Sequence, residues 1–142
     1  MIVYFDTSAL VPLLIDEPTS RGCRELWTTA DTVACARLTD IETTASIAMA
    51  ERLSRLSADG VRDAKAILDR LWLQIQVIEL GQDLMALAAD MALKHGLRGY
   101  DATHCAAAVA IKDVELVAAS GDQRLLEAWR AEGLAVRDTH QR

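Results

Sequence analysis

A chain of 142 residues, 51% hydrophobic and 25% charged, is long enough for one domain with its own core. A formal net charge of -6 argues against a protein that coats nucleic acid by charge alone, and an aromatic content of 4% leaves no stacking platform for single-stranded bases. No apolar run approaches the roughly 20 residues that span a bilayer, the basic start and cleavage pattern of a secretory leader is missing, and Cys23, Cys35 and Cys105 have no metal-ligand spacing and read as buried thiols of a reducing cytoplasm.

Ile2, Val3, Tyr4 and Phe5 form an apolar run without alternation, which predicts a strand buried on both faces. Asp6 ends it, and a helix is expected over 9–15, with Pro12 as an oddity inside it. Asp6 is then either the cap of that helix or a carboxylate at the ligand-binding edge of a parallel sheet. A second helix is expected from 19 or 20 to 27, and a strand over 32–36. A long helix follows from 39 or 40 to 56. Ala45, Met49, Leu53 and Leu56 follow Glu42 at spacings of three or four, which predicts an apolar stripe with Glu42 on its side. A carboxylate placed there needs a partner.

Residues 57–60 read as a turn, 61–73 as a helix and 75–80 as a strand. An Ala/Leu/Met-rich helix over 83–95 is ended by Gly96. Asp101 opens a helix over 100–112 that is apolar nearly all round from Cys105 onward, so this helix should be buried. His104, one turn after Asp101, reads as a packed, hydrogen-bonded side chain rather than a ligand. Strands over 115–119 and 134–137 flank a helix over 122–132, with Ser120, Gly121 and Asp122 at the strand-to-helix turn. Strands alternating with helices predict a parallel sheet covered on both faces.

Asp6, Glu42, Asp101 and Asp122 each have a bland explanation as a cap or a favourable charge at a helix start. Taken together, Asp6 and Asp122 follow strands at their carboxyl ends, and Glu42 and Asp101 head helices that begin at the same edge. Four carboxylates facing one crevice repel one another, and a divalent cation is the natural compensation. All-oxygen ligands favour Mg2+, with Mn2+ as the alternative.

With these residues in place, the chain resembles the PIN-domain family and, within it, the VapC toxins of bacterial and archaeal toxin–antitoxin pairs. The matching pieces are Val3-Tyr4-Phe5-Asp6-Thr7-Ser8-Ala9-Leu10, Glu42 at the head of a long helix, Tyr100-Asp101-Ala102, and Ser120-Gly121-Asp122-Gln123-Arg124-Leu125-Leu126. The resemblance implies a single domain over 1–142 with a three-layer α/β/α fold around a mostly parallel sheet. It implies a magnesium-dependent ribonuclease that is the toxin of a type II pair, a homodimer inhibited by a VapB-type antitoxin, in the cytoplasm and away from membranes. By motif position Asp6, Glu42, Asp101 and Asp122 carry over as the acidic, metal-holding and catalytic quartet. Ser8 and Ser120 carry over as supporting hydroxyls, Ser120 at a position where the family commonly has Thr.

The alternatives are a PIN nuclease outside a toxin–antitoxin pair and a non-catalytic PIN-like binding module. A haloacid-dehalogenase-type phosphatase would want a second Asp at position 8, where this chain has Ser8. Leu13, Leu14, Trp27 and Trp72 are expected to offer apolar surface to an antitoxin helix, or else to be core. Arg52, Arg55, Arg62, Lys65 and Arg70 read as a solvated helix face or as a track for an RNA backbone, and Arg98 as a partner for an acid or a phosphate.

Overall fold

The computed structural model describes residues 1–141. Five strands form one sheet: β1 (Ile2–Phe5), β2 (Thr32–Ala36), β3 (Gln76–Ile78), β4 (Leu116–Ser120) and β5 (Ala135–Asp138). All pairings are parallel and the order is β3-β2-β1-β4-β5. β1 is central. The chain winds outward from it through β2 to β3, then returns to its other side for β4 and β5. The reversal lies between β1 and β4, where Ile2 pairs with Leu116 and Phe5 with Ala119. A crevice at the carboxyl ends of two such strands is the usual ligand site of an open α/β sheet.

The helices are α1 (Thr7–Leu10), α2 (Ser20–Thr29), α3 (Leu38–Arg52), α4 (Ala58–Trp72), α5 (Gln82–His95), α6 (Gly99–Ala110) and α7 (Gln123–Ala131). Side chains alternate across β1. Val3 and Phe5 enter one core with Leu10, Val33, Cys35, Ile47 and Leu68, while Tyr4 enters the other with Ala106, Leu125, Leu126 and Trp129. The result is the expected α/β/α sandwich. The three cysteines are free and buried, and burial pushes the Cys23 thiol up to about 11.

Three local expectations are corrected. The helix expected over 9–15 is α1 followed by a 3-10 turn, Val11–Leu13, because buried Pro12 has no N–H to continue the α-helical ladder. The turn expected over 57–60 is the first turn of α4: Ser57 caps it by accepting from Gly60 N at 3.0 Å. The stripe expected on α3 is the wrong one. Thr39, Thr43, Ile47 and Ala50 are its buried face, whereas Met49 and Leu53 are 53% and 63% exposed.

Leu13, Leu14, Trp27 and Trp72 are half-buried and pack against the Val3/Phe5 core, with the Trp27 and Phe5 rings edge to face at 6.0 Å. Arg52, Arg55, Arg62 and Arg70 are exposed, as a solvated face requires. Arg55, Arg62 and Lys65 lie beside Glu17, Asp59 and Asp69. No described helix is long and apolar enough to cross a membrane.

Candidate active site

Asp6 is the residue after β1 and caps α1, so both sequence readings of it hold at once. Its Oδ1 accepts from Ala9 N at 3.0 Å and from Ser8 Oγ at 2.7 Å, and its Oδ2 accepts from Ser120 Oγ. The two serines are also tied across the seam between the strands. Ser8 Oγ accepts from Gly121 N at 2.8 Å, and Ser120 Oγ accepts from Asp122 N at 2.9 Å. A Cβ at Gly121 would lie 2.8 Å from His140 Nε2 and 3.1 Å from Thr139 Oγ1, so the exposed His140 side chain would have to move aside. Burial pushes the Asp6 carboxyl above the ordinary aspartate range, against the pull of His104, Ser120, Ser8 and the Ala9 N–H.

Glu42 is half-buried on α3. Its Oε1 accepts from Thr7 Oγ1 at 2.8 Å and faces His104 Nε2 at 2.6 Å. His104 comes from α6 and is buried; its Nδ1 lies 2.7 Å from Tyr4 Oη. Burial alone would raise the Glu42 pKa, but the hydrogen bonds of His104 and Thr7 and the attraction of the imidazole outweigh it, and the net direction is down. The Asp6 carboxyl is thus raised by burial and not by repulsion from the other acids, while the Glu42 carboxyl is lowered.

Asp101 lies in the first turn of α6, past the capping position, which Arg98 occupies. Its Oδ2 accepts from Arg98 Nε at 3.3 Å, and that guanidinium lies 5.2 Å from the Tyr100 ring centre. Asp122 caps α7, its Oδ1 accepting from Arg124 N at 2.9 Å and Leu125 N at 3.3 Å.

All four acids, with Thr7, Ser8 and His104, line one cleft of about 380 Å³ at the carboxyl ends of β1 and β4. A hollow of similar size at the opposite end of the sheet contains one ionisable group, Asp31, which is already paired with the N-terminal ammonium. The four acids therefore stand together at the carboxyl edge of the sheet. Thr7 and Tyr4 are site partners that the sequence reading left out, and His104 was read as packed without its partner. The helical spacing of Asp101 and His104, which puts them on one face, was the available signal.

The donors in the cleft are carboxylate oxygens, the set a hard divalent cation prefers. Among the described residues, however, no three His, Cys, Asp or Glu side chains stand close enough together to grip an ion. The donor chemistry fits Mg2+ or Mn2+, while the separations are those of an open cleft with Asp101 drawn to Arg98.

Residues 3–129 match the PIN domain family. Over 135 residues the chain is 36% identical to Ribonuclease VapC45 of Mycobacterium tuberculosis, covering 95% of this chain and 94% of that protein. The fold is similar to that of PAE2754 from Pyrobaculum aerophilum, with a TM-score of 0.71, 21% identity and coverage of 97% of this chain and 84% of the other. It is also similar to a chain of a toxin-antitoxin complex from Klebsiella pneumoniae, with a TM-score of 0.68, 15% identity and 99% coverage of each. A family match across most of the chain, together with a relative this similar over nearly its whole length, makes this chain a member of the PIN-domain family, in its VapC group.

Proposed function

We propose that the chain is a divalent-cation-dependent endoribonuclease, the toxin of a type II toxin–antitoxin pair, hydrolysing RNA phosphodiester bonds in the carboxyl-edge cleft. The observation that carries this reading is the delivery of Asp6, Glu42, Asp101 and Asp122 from four different elements to one cleft at the point where the winding reverses. Asp6 and Asp101 are the principal ligands in this reading, and Glu42 and Asp122 serve as ligands or orient the attacking water. When bound, Mg2+ or Mn2+ supplies a lower pKa for that water and charge neutralisation for the phosphate. A P–O bond forms to the water oxygen as the bond from phosphorus to one ribose oxygen breaks; a carboxylate takes one proton from the water, and the departing ribose oxygen takes up a proton to leave as a hydroxyl. Ser8 and Ser120 hold Asp6 in place, and Thr7 holds Glu42.

Residues 1–142 act as one PIN domain in this reading, in the cytoplasm where RNA is available. The name of the 36% identical relative supports the ribonuclease, and the fold shared with a toxin-antitoxin complex supports an antitoxin partner; that this antitoxin is VapB-type and that the chain assembles as a homodimer belong to the same reading. The test is to incubate the purified chain with total RNA plus Mg2+, then plus EDTA, and to map the ends. Discrete cuts that EDTA abolishes are expected. Intact RNA at micromolar protein with Mg2+ or Mn2+ would leave the binding-module alternative standing. Antitoxin binding is tested separately by co-expression with the protein encoded beside it.

A further inference from the structure

Glu42 is a half-buried carboxylate in the second turn of α3, where rotation of its long side chain would spread its oxygens over several positions. The structure gives it two fixed partners. Thr7 Oγ1 and His104 Nε2 meet the same oxygen, Oε1, at 2.8 Å and 2.6 Å. An ionised carboxylate only accepts, so Nε2 carries the hydrogen. The other ring nitrogen, Nδ1, is 2.7 Å from the hydroxyl of Tyr4, a residue wholly buried in the central strand. With the ring's hydrogen on Nε2, the hydroxyl is the partner that has a hydrogen to give, so it donates to Nδ1. With Nε2 donating and Nδ1 accepting, the His104 ring satisfies both contacts, and turning the ring over breaks both.

Resting on the function proposed above, we propose that His104 is a positioning residue: clamped at Nδ1 by Tyr4, it fixes Oε1 of Glu42 through Nε2–H and leaves Oε2 as the oxygen presented to the cleft. The chain Tyr4–His104–Glu42 runs from β1 through α6 to α3, so an adjustable carboxylate is referred to the most rigid element of the fold. Groups that orient a ligating side chain in this way typically matter by about 10- to 100-fold, and small displacements of a positioned group are costly to rate. His104 need not touch RNA to do this.

The first arm of the test is 15N NMR of the metal-free chain labelled at histidine. The expected signature for His104 is a protonated Nε2 and an unprotonated Nδ1, with that preference weakened by Tyr4→Phe. A protonated Nδ1 with a bare Nε2 overturns the proposal. The second arm is kinetic. His104→Leu should lower kcat about 10- to 100-fold with the KM for RNA unchanged. His104→Gln, whose amide places an N–H near the Nε2 position, should recover most of that loss. In a Glu42→Gln background the His104→Leu change should add little, because the two act as one unit. Equal losses in the Leu and Gln variants, or a full additional loss in the Glu42→Gln background, overturn the positioning role. If His104→Leu does not fold, the Gln and Tyr4→Phe variants carry the same comparison. A wild-type chain that cuts no RNA removes the proposed function, and the NMR arm then decides the His104 geometry alone.

Discussion

Replacing Ser120 with Ala removes one oxygen at the seam between β1 and β4 and leaves two groups short. Asp6 Oδ2 loses its hydroxyl donor, and Asp122 N loses its acceptor. Ser120 is fully buried and Asp6 is 5% exposed, so water does not readily replace the hydroxyl beside Asp6. A hydrogen bond to a charged group contributes about 1.5–3 kcal/mol and an ordinary one about 1 kcal/mol. The expected loss is therefore about 2–4 kcal/mol at pH 7, or about 6–12 °C in Tm at roughly 3 °C per kcal/mol for a domain of this size. Urea melts of the metal-free protein measure it, with an unchanged m-value showing that only stability moved. The cost should shrink in an Asp6→Asn background, where the buried acceptor is no longer charged. A Ser120→Ala protein within about 0.5 kcal/mol of wild type would mean that the Ser120 hydroxyl does not support Asp6.

Metal-free stability should carry two opposite pH signatures. The raised pKa of Asp6 means the folded state binds the extra proton, so its contribution falls as pH rises from the ordinary value of 3.8 through the raised one. Glu42 is lowered, so its contribution is complete above 4.5 and is lost as pH falls through its folded value. Urea melts across this range should show Asp6→Asn flattening the first slope and Glu42→Gln the second; slopes unchanged by either variant would contradict the assignment. Asp101→Asn should lower RNA cleavage by orders of magnitude while changing metal-free stability by less than about 1 kcal/mol, because Arg98, its ion-pair partner, is largely exposed and Asp101 caps no helix. A normal cleavage rate would take Asp101 out of the catalytic quartet. Saturating Mg2+ should raise the wild-type Tm by mass action, about 2.7 kcal/mol of stabilisation at 100 times the Kd, and Asp101→Asn should blunt the rise; equal shifts in both proteins would place the ion elsewhere.

The sheet was legible in the sequence because its strands are short apolar runs bounded by turn residues; β2 occupies the residues the pattern predicted. α3 shows where a hydropathy stripe fails. Its buried face includes Thr39 and Thr43, a residue type that counts as polar, while Met49 and the capping Leu53 face outward. α4 was read as starting late because Ser57 and Gly60 look like a turn, and the cap and the first turn of a helix share that vocabulary. The four acids were readable by position in the chain, but their partners were not. Glu42 and His104 are separated by 62 residues, and Asp6 and Ser120 by 114, and no local pattern joins them. The lowered pKa of Glu42 was unpredictable for the same reason, since its cause comes from another helix.

The contacts that join Asp6 and Ser8 to Ser120 and Gly121 also have a consequence for synthesis. The first and last pieces of the cleft come from opposite ends of the chain, with Gly121 N reaching back to Ser8 across 113 residues. Domains emerge from the ribosome amino end first, at about 5–20 residues per second. While β4 is still unmade, β1 has only one sheet neighbour, Asp6 has no Ser120 to hold it, and Asp122 is absent from the cleft. A chain that cuts RNA beside the ribosome making it thus cannot assemble its cleft until the Ser120–Asp122 turn has emerged, so the order of translation itself delays the activity to the end of synthesis.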